Sequence, residues 1–395
     1  MRTPVSAHLE RVDGLLAPLR ARPAEEVALH DALGRVTAAD VLSPIALPPF
    51  TNSQMDGFAV RSADVRDAPV TLPVVREIAA APGDPGALEP GTAIRIMTGA
   101  PLPSGADAVV PVEDTHVDGA SVTITRGRTP GEYVRVAGGD LPEGGTVLPE
   151  GTRLQSRHLA AAAASGLSTL SVRSLVRVAV ISTGSELVAP GEPLGPGRIP
   201  DANGVALVAA VRQAGARVVA QGRVADETEL LAAAFDEALD DGAELLLTSG
   251  GISMGDHEVV RDLLEPLGAH VDVLAMQPGG PQATATYRGI PVVCFPGNPV
   301  SSQLSFELFV APVLRELAGL PPRQQSSAVL ADAVRSIPGR RQFLRGRLLP
   351  GGRVATVSGP GSHLVAALAA SDVIIELGED VTDLEAGATV DTWEL

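Results

Sequence analysis

Between residues 177 and 320 the chain alternates two patterns, and this alternation constrains the fold more than any other feature. RVAVIS (177–182), ARVVAQGRV (216–224), AELLLTSGG (243–251), HVDVLAM (270–276) and PVVCFPG (291–297) are short apolar runs rich in Val and Leu, as buried parallel strands are. Between most of them, residues 203–214, 227–239 and 258–267 repeat apolar side chains three and four apart, the spacing of one helical face. Residues 299–320 predict a long terminal helix. Such a succession folds through right-handed crossovers into a doubly wound parallel sheet with helices on both faces. Ligands of these sheets sit at the carboxyl ends of the strands.

The flanks read differently. Leu9, Val12, Leu15, Leu16 and Leu19 keep helical spacing behind Ser6, a candidate cap, and a second helix is expected after them. From Val41 to about Asp140, proline and glycine punctuate short alternating runs such as VTLPVV and SVTITRG, which predicts a β-rich module. Residues 154–172 read as helix again. After Leu320, PPRQQSS reads as a linker, and residues 328–395 as a small β domain.

Composition narrows the function. A chain of 395 residues, 45% hydrophobic, buries a sizeable core in two to four domains by the usual scale of roughly 100 to 200 residues each. The single cysteine, Cys294, allows no intramolecular disulfide and no cysteine-cluster metal site. The start, MRTPVSAHLERVDG, lacks the apolar core of a signal peptide, and no run of roughly 18 apolar residues exists to span a bilayer, so a cytoplasmic protein without a membrane partner is expected. All thirty basic residues are arginine. Schiff-base and P-loop lysine chemistry are thereby excluded, and an anionic substrate has to be held by arginine, backbone amides or a metal. A net charge of -17 and 3% aromatics argue against a nucleic-acid partner.

Three glycine-bearing loops end strands on one edge of the expected sheet: STGSEL (182–187), TSGGISMGDHE (248–258) and FPGNPVSS (295–302). They offer Thr183, Gly184 and Ser185, then Ser249, Gly250 and Gly251, then Pro296, Gly297, Asn298 and Pro299 to a ligand that approaches the backbone closely. Glu186, Asp201, Asp226, Asp256 and Glu258 lie near the same edge. Carboxylates gathered beside a phosphate site hold Mg²⁺, a hard cation that bridges to phosphate oxygens, and Glu186, Asp226 and Glu258 are its candidate ligands. Singly, each reads equally as a solvated charge or a helix cap, Asp226 above all. His257-Glu258 does not open a zinc-binding HExxH, because Arg261 takes the last position. Cys294, inside PVVCF, reads as a small buried hydrophobe.

PPFTNSQMDGFAV, IRIMTGAPLPSGADAVVPVED, STGSELV with PGEPLGPGRIPDANG, TSGGISMGDHE and FPGNPVSSQLSF, in this order, resemble the molybdopterin molybdenumtransferase family, which includes the C-terminal region of gephyrin. The resemblance covers essentially the whole chain. It implies a split helical domain (1–42 plus 141–176), a β-rich protruding domain (43–140), the doubly wound molybdopterin-binding domain (177–321) and a C-terminal β-barrel domain (322–395). It implies Mg-dependent insertion of molybdenum from molybdate into adenylylated molybdopterin with release of AMP, in a homodimer that meets the upstream adenylyltransferase and acceptor molybdoenzymes. Carried over by motif, Asp56, Asp140, Glu186, Asp226 and Glu258 are catalytic, and Thr98, Gln277, Arg345 and Ser362 join the loop residues in binding substrate. Two departures stand out: Gln277 and Gly280 occupy positions where lysine is usual, and Glu258 replaces an aspartate. A molybdopterin adenylyltransferase and a non-catalytic pterin-binding or scaffold paralogue are the alternative readings.

Overall fold

The computed structural model describes residues 2–252 and 258–395. It divides into two compact units, Met1–Pro23 with Arg173–Leu395, and Ala24–Val172. The first carries a six-stranded sheet. Its strands are β1 (Arg177–Thr183), β2 (Arg217–Val224), β3 (Leu245–Ser249), β4 (His270–Val273), β5 (Pro281–Tyr287) and β6 (Ile290–Phe295), in the order β2-β1-β3-β6-β5-β4. β2, β1, β3 and β6 are mutually parallel, whereas β5 pairs antiparallel with both β6 and β4. Thus the five expected strands run one way, and the sixth, which the apolar pattern does not predict, makes the sheet mixed. β5 is broken up by Gln282, Thr284 and Thr286, of which the first two are buried. Arg288 and Gly289, both at positive φ (48° and 87°), join it to β6 in the two-residue turn that matches strand twist.

Five helices cover this sheet: α1 (Val5–Leu16), α2 (Ala202–Gln213), α3 (Thr228–Asp240), α4 (Val259–Leu264) and α5 (Pro299–Ser305). Alternate strand residues point to opposite faces. Val178, Val180, Leu245, Leu247, Val293 and Phe295 pack with α1, α2 and α5, while Ala179, Ile181, Leu246, Val292 and Cys294 pack with α3 and α4. The expected doubly wound arrangement is therefore present, and each fully buried Leu or Phe in it contributes about 1.5–3 kcal/mol.

Proline corrects three helical expectations. α1 starts after Pro4, leaving Ser6 inside the helix with no capping bond. Past Leu16 only a 3₁₀ turn, Ala17–Arg20, forms around Pro18, and in the second unit Ala24–Ala28 is a strand paired with Thr169–Arg173 instead of a helix. The terminal helix is split into α5, a π turn at Phe306–Val310 and a last helix Ala311–Leu317, because Pro312 has no N–H to continue the ladder.

The first unit ends in a closed barrel of Gln325–Leu330, Arg341–Leu349, Arg353–Thr356, Val373–Leu377 and Thr389–Glu394, with Leu330, Leu344, Val354, Ile375 and Val390 inside. In the second unit, six strands pair in the order Ala108–Pro111, Gly57–Val60, Ala93–Ile96, Val70–Ile78, Ser121–Ile124 and Thr115–Asp118 around Phe58, Val60, Leu72, Val110 and Ile124. The expected helix over 154–172 is confined to Ser156–Ala164; the rest of that stretch turns at Gly166 and becomes the strand at Thr169. No helix among the described residues is long and apolar enough to cross a membrane.

Candidate functional site

The strand order 2-1-3 reverses the winding direction at β1, so the crossovers leave β1 and β3 on opposite faces and a crevice opens at their carboxyl ends. A cavity of about 660 Å³ lies there. The loops after β1, β3 and β6 converge on it as the sequence suggests: Thr183 and Gly184, Ser249 to Ile252, and Pro296 to Pro299 all line it.

Close backbone approach shapes the floor. Gly250 and Gly251 take φ of 95° and 64°, and a Cβ on them would stand 2.5 Å from the Thr183 carbonyl oxygen and 2.9 Å from Thr183 Oγ1. Only glycine fits both constraints. The Gly250 N–H donates to the Phe295 carbonyl (3.0 Å), and Ser249 Oγ donates to Ser182 Oγ (3.3 Å). Two donors of the loop that the sequence offers to a ligand are therefore turned to the protein.

α2 points its N-terminus at the cavity, with Pro200, Asp201, Ala202 and Asn203 in the wall. Asp201 is the helix cap: its carboxylate accepts from the Gly204 N–H (2.8 Å) and from Ser182 Oγ (3.0 Å), which satisfies one of the four free donors of the first turn. Asn203 Nδ2 donates to the Gly297 carbonyl (2.7 Å), tying the β6 loop to this helix, while its buried Oδ1 has no partner among the described residues.

Glu186, Asp226 and Glu258 also line the cavity. Asp226 does not cap α3, whose capping position is Glu227; its carboxylate instead accepts the Ser185 N–H (2.9 Å), and its own N–H donates to Ser185 Oγ (3.0 Å). Ser185 thus braces the wall instead of forming it. Among the described residues no three His, Cys, Asp or Glu side chains stand close enough to hold a metal by themselves. Mg²⁺ rarely uses such a cage; one or two carboxylates plus substrate phosphates and water suffice, and Glu186 and Asp226 fit that requirement. Asp256 and His257 lie outside the described residues.

Among the lining residues that the sequence patterns do not mark, one is ionisable. His363, on the barrel loop, reaches the cavity from outside the sheet domain. Its loop is held at two points: the Ser362 carbonyl accepts the Val300 N–H at the start of α5 (3.1 Å), and the buried Arg345 guanidinium donates to the carbonyls of Gly359 and Gly361. The GSH stretch that carries it has no signal of its own; only its motif neighbour Ser362 drew notice. Burial depresses the Arg345 pKa. Gln277 stands on the short strand Met276–Gln277 that pairs with Arg341–Gln342 of the barrel, its buried amide oxygen without a partner among the described residues.

Asp56, Thr98 and Asp140 belong to the second unit. Asp56 and Thr98, far apart in sequence, meet: the Thr98 N–H (2.6 Å) and Oγ1 (2.7 Å) both donate to Asp56 Oδ1. The backbone bond from Thr98, then the hydroxyl bond, hold the Asp56 carboxyl below the usual carboxylate range. Asp140 is exposed, its N–H bonded to the Leu47 carbonyl. Cys294 is fully buried and burial pushes its thiol up to about 12, which removes it as a nucleophile.

Comparison with known proteins agrees with this geometry. Residues 3–166 match the MoeA N-terminal region (domain I and II), residues 179–316 a probable molybdopterin binding domain, and residues 327–395 the MoeA C-terminal region (domain IV). Molybdopterin molybdenumtransferase 2 of Mycobacterium tuberculosis is 44% identical over 383 residues, covering 93% of this chain and 94% of that protein. The chain belongs to the molybdopterin molybdenumtransferase family. A second molybdenumtransferase, from Nostoc sp., is 40% identical over 305 residues, covering 75% of this chain and 70% of its own. The solved structure of a molybdopterin biosynthesis MoeA protein from Pyrococcus horikosii superposes with a TM-score of 0.84 at 33% identity, over 100% of this chain and 99% of that one. Like its molybdenumtransferase relatives, the chain is an enzyme that handles molybdenum in cofactor biosynthesis.

Proposed function

We propose that this molybdenumtransferase takes adenylylated molybdopterin as substrate and inserts molybdenum from molybdate in a Mg²⁺-dependent reaction that releases AMP. The observation that carries this reading is the charge of the cavity wall. Glu186, Asp201, Asp226 and Glu258 all line it, and the described part of the sheet domain adds no arginine. A pyrophosphate cannot share such a wall without a cation, since like charges a few ångströms apart repel by about 1–4 kcal/mol per pair even at surface dielectric.

Glu186 and Asp226 would hold Mg²⁺, with Glu258 as a third carboxylate. Bound there, the ion would polarise the phosphorus–oxygen bond that breaks. The glycine floor admits the flat pterin close to the backbone, and the clasp between Ser185 and Asp226 keeps one carboxylate oriented. For molybdate, the buried Arg345 guanidinium supports an oxyanion subsite with Ser362: it is bonded to carbonyls and has no carboxylate partner among the described residues, so its charge is uncompensated. Gln277 is kept as a neutral donor to the same oxyanion.

In this reading the four regions 1–42 plus 141–176, 43–140, 177–321 and 322–395 act as domains of a cytoplasmic homodimer, and Asp56, Thr98 and Asp140 keep the catalytic and binding roles that the family motifs give them. The upstream adenylyltransferase delivers substrate and acceptor molybdoenzymes take the product. The test is to incubate the protein with adenylylated molybdopterin, molybdate and Mg²⁺. AMP release that needs both Mg²⁺ and Glu186, coupled to molybdenum loading, is expected; loading without AMP release, or consumption of ATP with free molybdopterin, would refute it.

A further inference from the structure

We infer that His363 is a substrate-contacting residue: an imidazole N–H donor, supplied by the barrel, for the phosphoryl oxygens of the anionic ligand in the acidic cavity. The inference rests on the reading of the cavity as a pyrophosphate site. Three observations lead to it. First, the chain has no lysine, and His363 is the only described lining side chain that can carry positive charge. Second, its location is built. The loop bearing it is pinned by the Val300 N–H bond to the Ser362 carbonyl and by Arg345, buried to 2% exposure, donating to the carbonyls of Gly359 and Gly361. Third, the backbone next to the imidazole is glycine, and a Cβ on Gly361 would lie 3.0 Å from His363 Cε1, so the ring rests against the loop that Arg345 holds.

A loop held by the carbonyls of three residues just before His363, at the rim of a cavity, presents that side chain at low entropic cost, which is how a binding group gains affinity. A Mg²⁺ ion held by the carboxylates would neutralise one side of a pyrophosphate, and an imidazole N–H from the barrel adds a donor that the acidic wall does not supply. Arg345 then has a second part as a positioning residue, acting on His363 through Gly359 and Gly361.

The test uses the full chain and two probes, inorganic pyrophosphate with Mg²⁺ in calorimetric titration, and AMP release from adenylylated molybdopterin. His363→Leu should weaken pyrophosphate binding about 10- to 100-fold, the range of one charge-assisted hydrogen bond. His363→Gln should fall between, and His363→Arg should bind within about threefold of wild type at low salt. The loss should appear mainly in KM, since the contact is made in the ground state. Thermal unfolding should be the same in all four proteins. Wild-type binding by His363→Leu would overturn the assignment while leaving the functional reading intact. Equal weakening in all three variants with a lowered melting temperature would also overturn it, marking the histidine as a scaffold residue. Wild type that neither binds pyrophosphate nor releases AMP would refute the functional reading and the inference with it.

Discussion

Ser185 and Asp226 clasp each other across the ends of two neighbouring strands, each backbone N–H donating to the other's side-chain oxygen at 2.9 and 3.0 Å. The pair fixes the relative position of the loops after β1 and β2, and it leaves one oxygen of Asp226 to the cavity.

Asp226→Asn keeps an oxygen acceptor for the Ser185 N–H, so its melting temperature should stay within a few degrees of wild type. Turnover should nevertheless fall at least about 100-fold, because the lost charge is the one offered to Mg²⁺. Glu186→Gln should behave alike. AMP release measured beside thermal unfolding checks both; a parallel loss of stability and activity would mark the carboxylates as structural.

Asp56 offers a titration. Its pKa is depressed by the two bonds from Thr98, so the folded state binds this proton less readily than the unfolded chain. The stabilisation is present above the ordinary carboxylate pKa of about 4 and is lost as pH falls through the depressed value. Thr98→Val removes the hydroxyl bond but keeps the N–H, and should move the Asp56 pKa upward without restoring its ordinary value. Carboxyl NMR titration of the two proteins reads this directly.

His8 loses stability in the same direction, as pH falls, but through burial instead of hydrogen bonding. It is fully buried on α1, edge-on to Phe309 at 4.7 Å and 3.6 Å from Asp272, beyond hydrogen-bond length. Burial outweighs the attraction of Asp272 and brings its pKa down to about 4. Between the unfolded value of about 6.5 and 4 the unfolded chain takes up a proton that the folded one refuses, so stability falls as pH drops through that window, by on the order of 3 kcal/mol. Denaturant unfolding at pH 7, 6, 5 and 4 should show the loss, and His8→Phe should flatten it.

Gly280 accepts a side chain where its neighbour does not. Its φ lies outside the left-handed region and a Cβ would meet nothing closer than 3.9 Å, whereas Gly279 has φ of 101° and a Cβ there would press on Met276 at 3.0 Å. Gly280→Lys should therefore fold normally and lower the molybdate concentration for half-maximal AMP release severalfold at low salt, an effect that added salt diminishes. Gly279→Ala should cost more than about 1 kcal/mol. Unchanged molybdate dependence in a folded Gly280→Lys would place the oxyanion elsewhere.

Local patterns went far in this chain where one residue run meets one environment throughout. β1, β3 and β6 are buried on both faces, so unbroken Val and Leu runs announce them. β5 escaped because Gln282 and Thr284 sit in its buried half, Gln282 Nε2 donating to the Gly279 carbonyl and Ser305 Oγ; such polar residues become strand-like only after their partners arrive. The strand Ala24–Ala28 likewise exists through its pairing with Thr169–Arg173, and no periodicity within it says so.

What the sequence determined alone was the strand–helix alternation, the three glycine loops, the acidic residues beside them and the family motifs, since each is a property of a short contiguous segment. Tertiary structure decided which of these meet. The order β2-β1-β3-β6 sets Thr183, Gly250 and Gly297 around one cavity, the clasp turns Asp226 from a possible cap into part of its wall, and barrel closure brings in His363. Those relationships depend on chain closure between distant segments, whose free energy comes from burying surfaces that no local window contains.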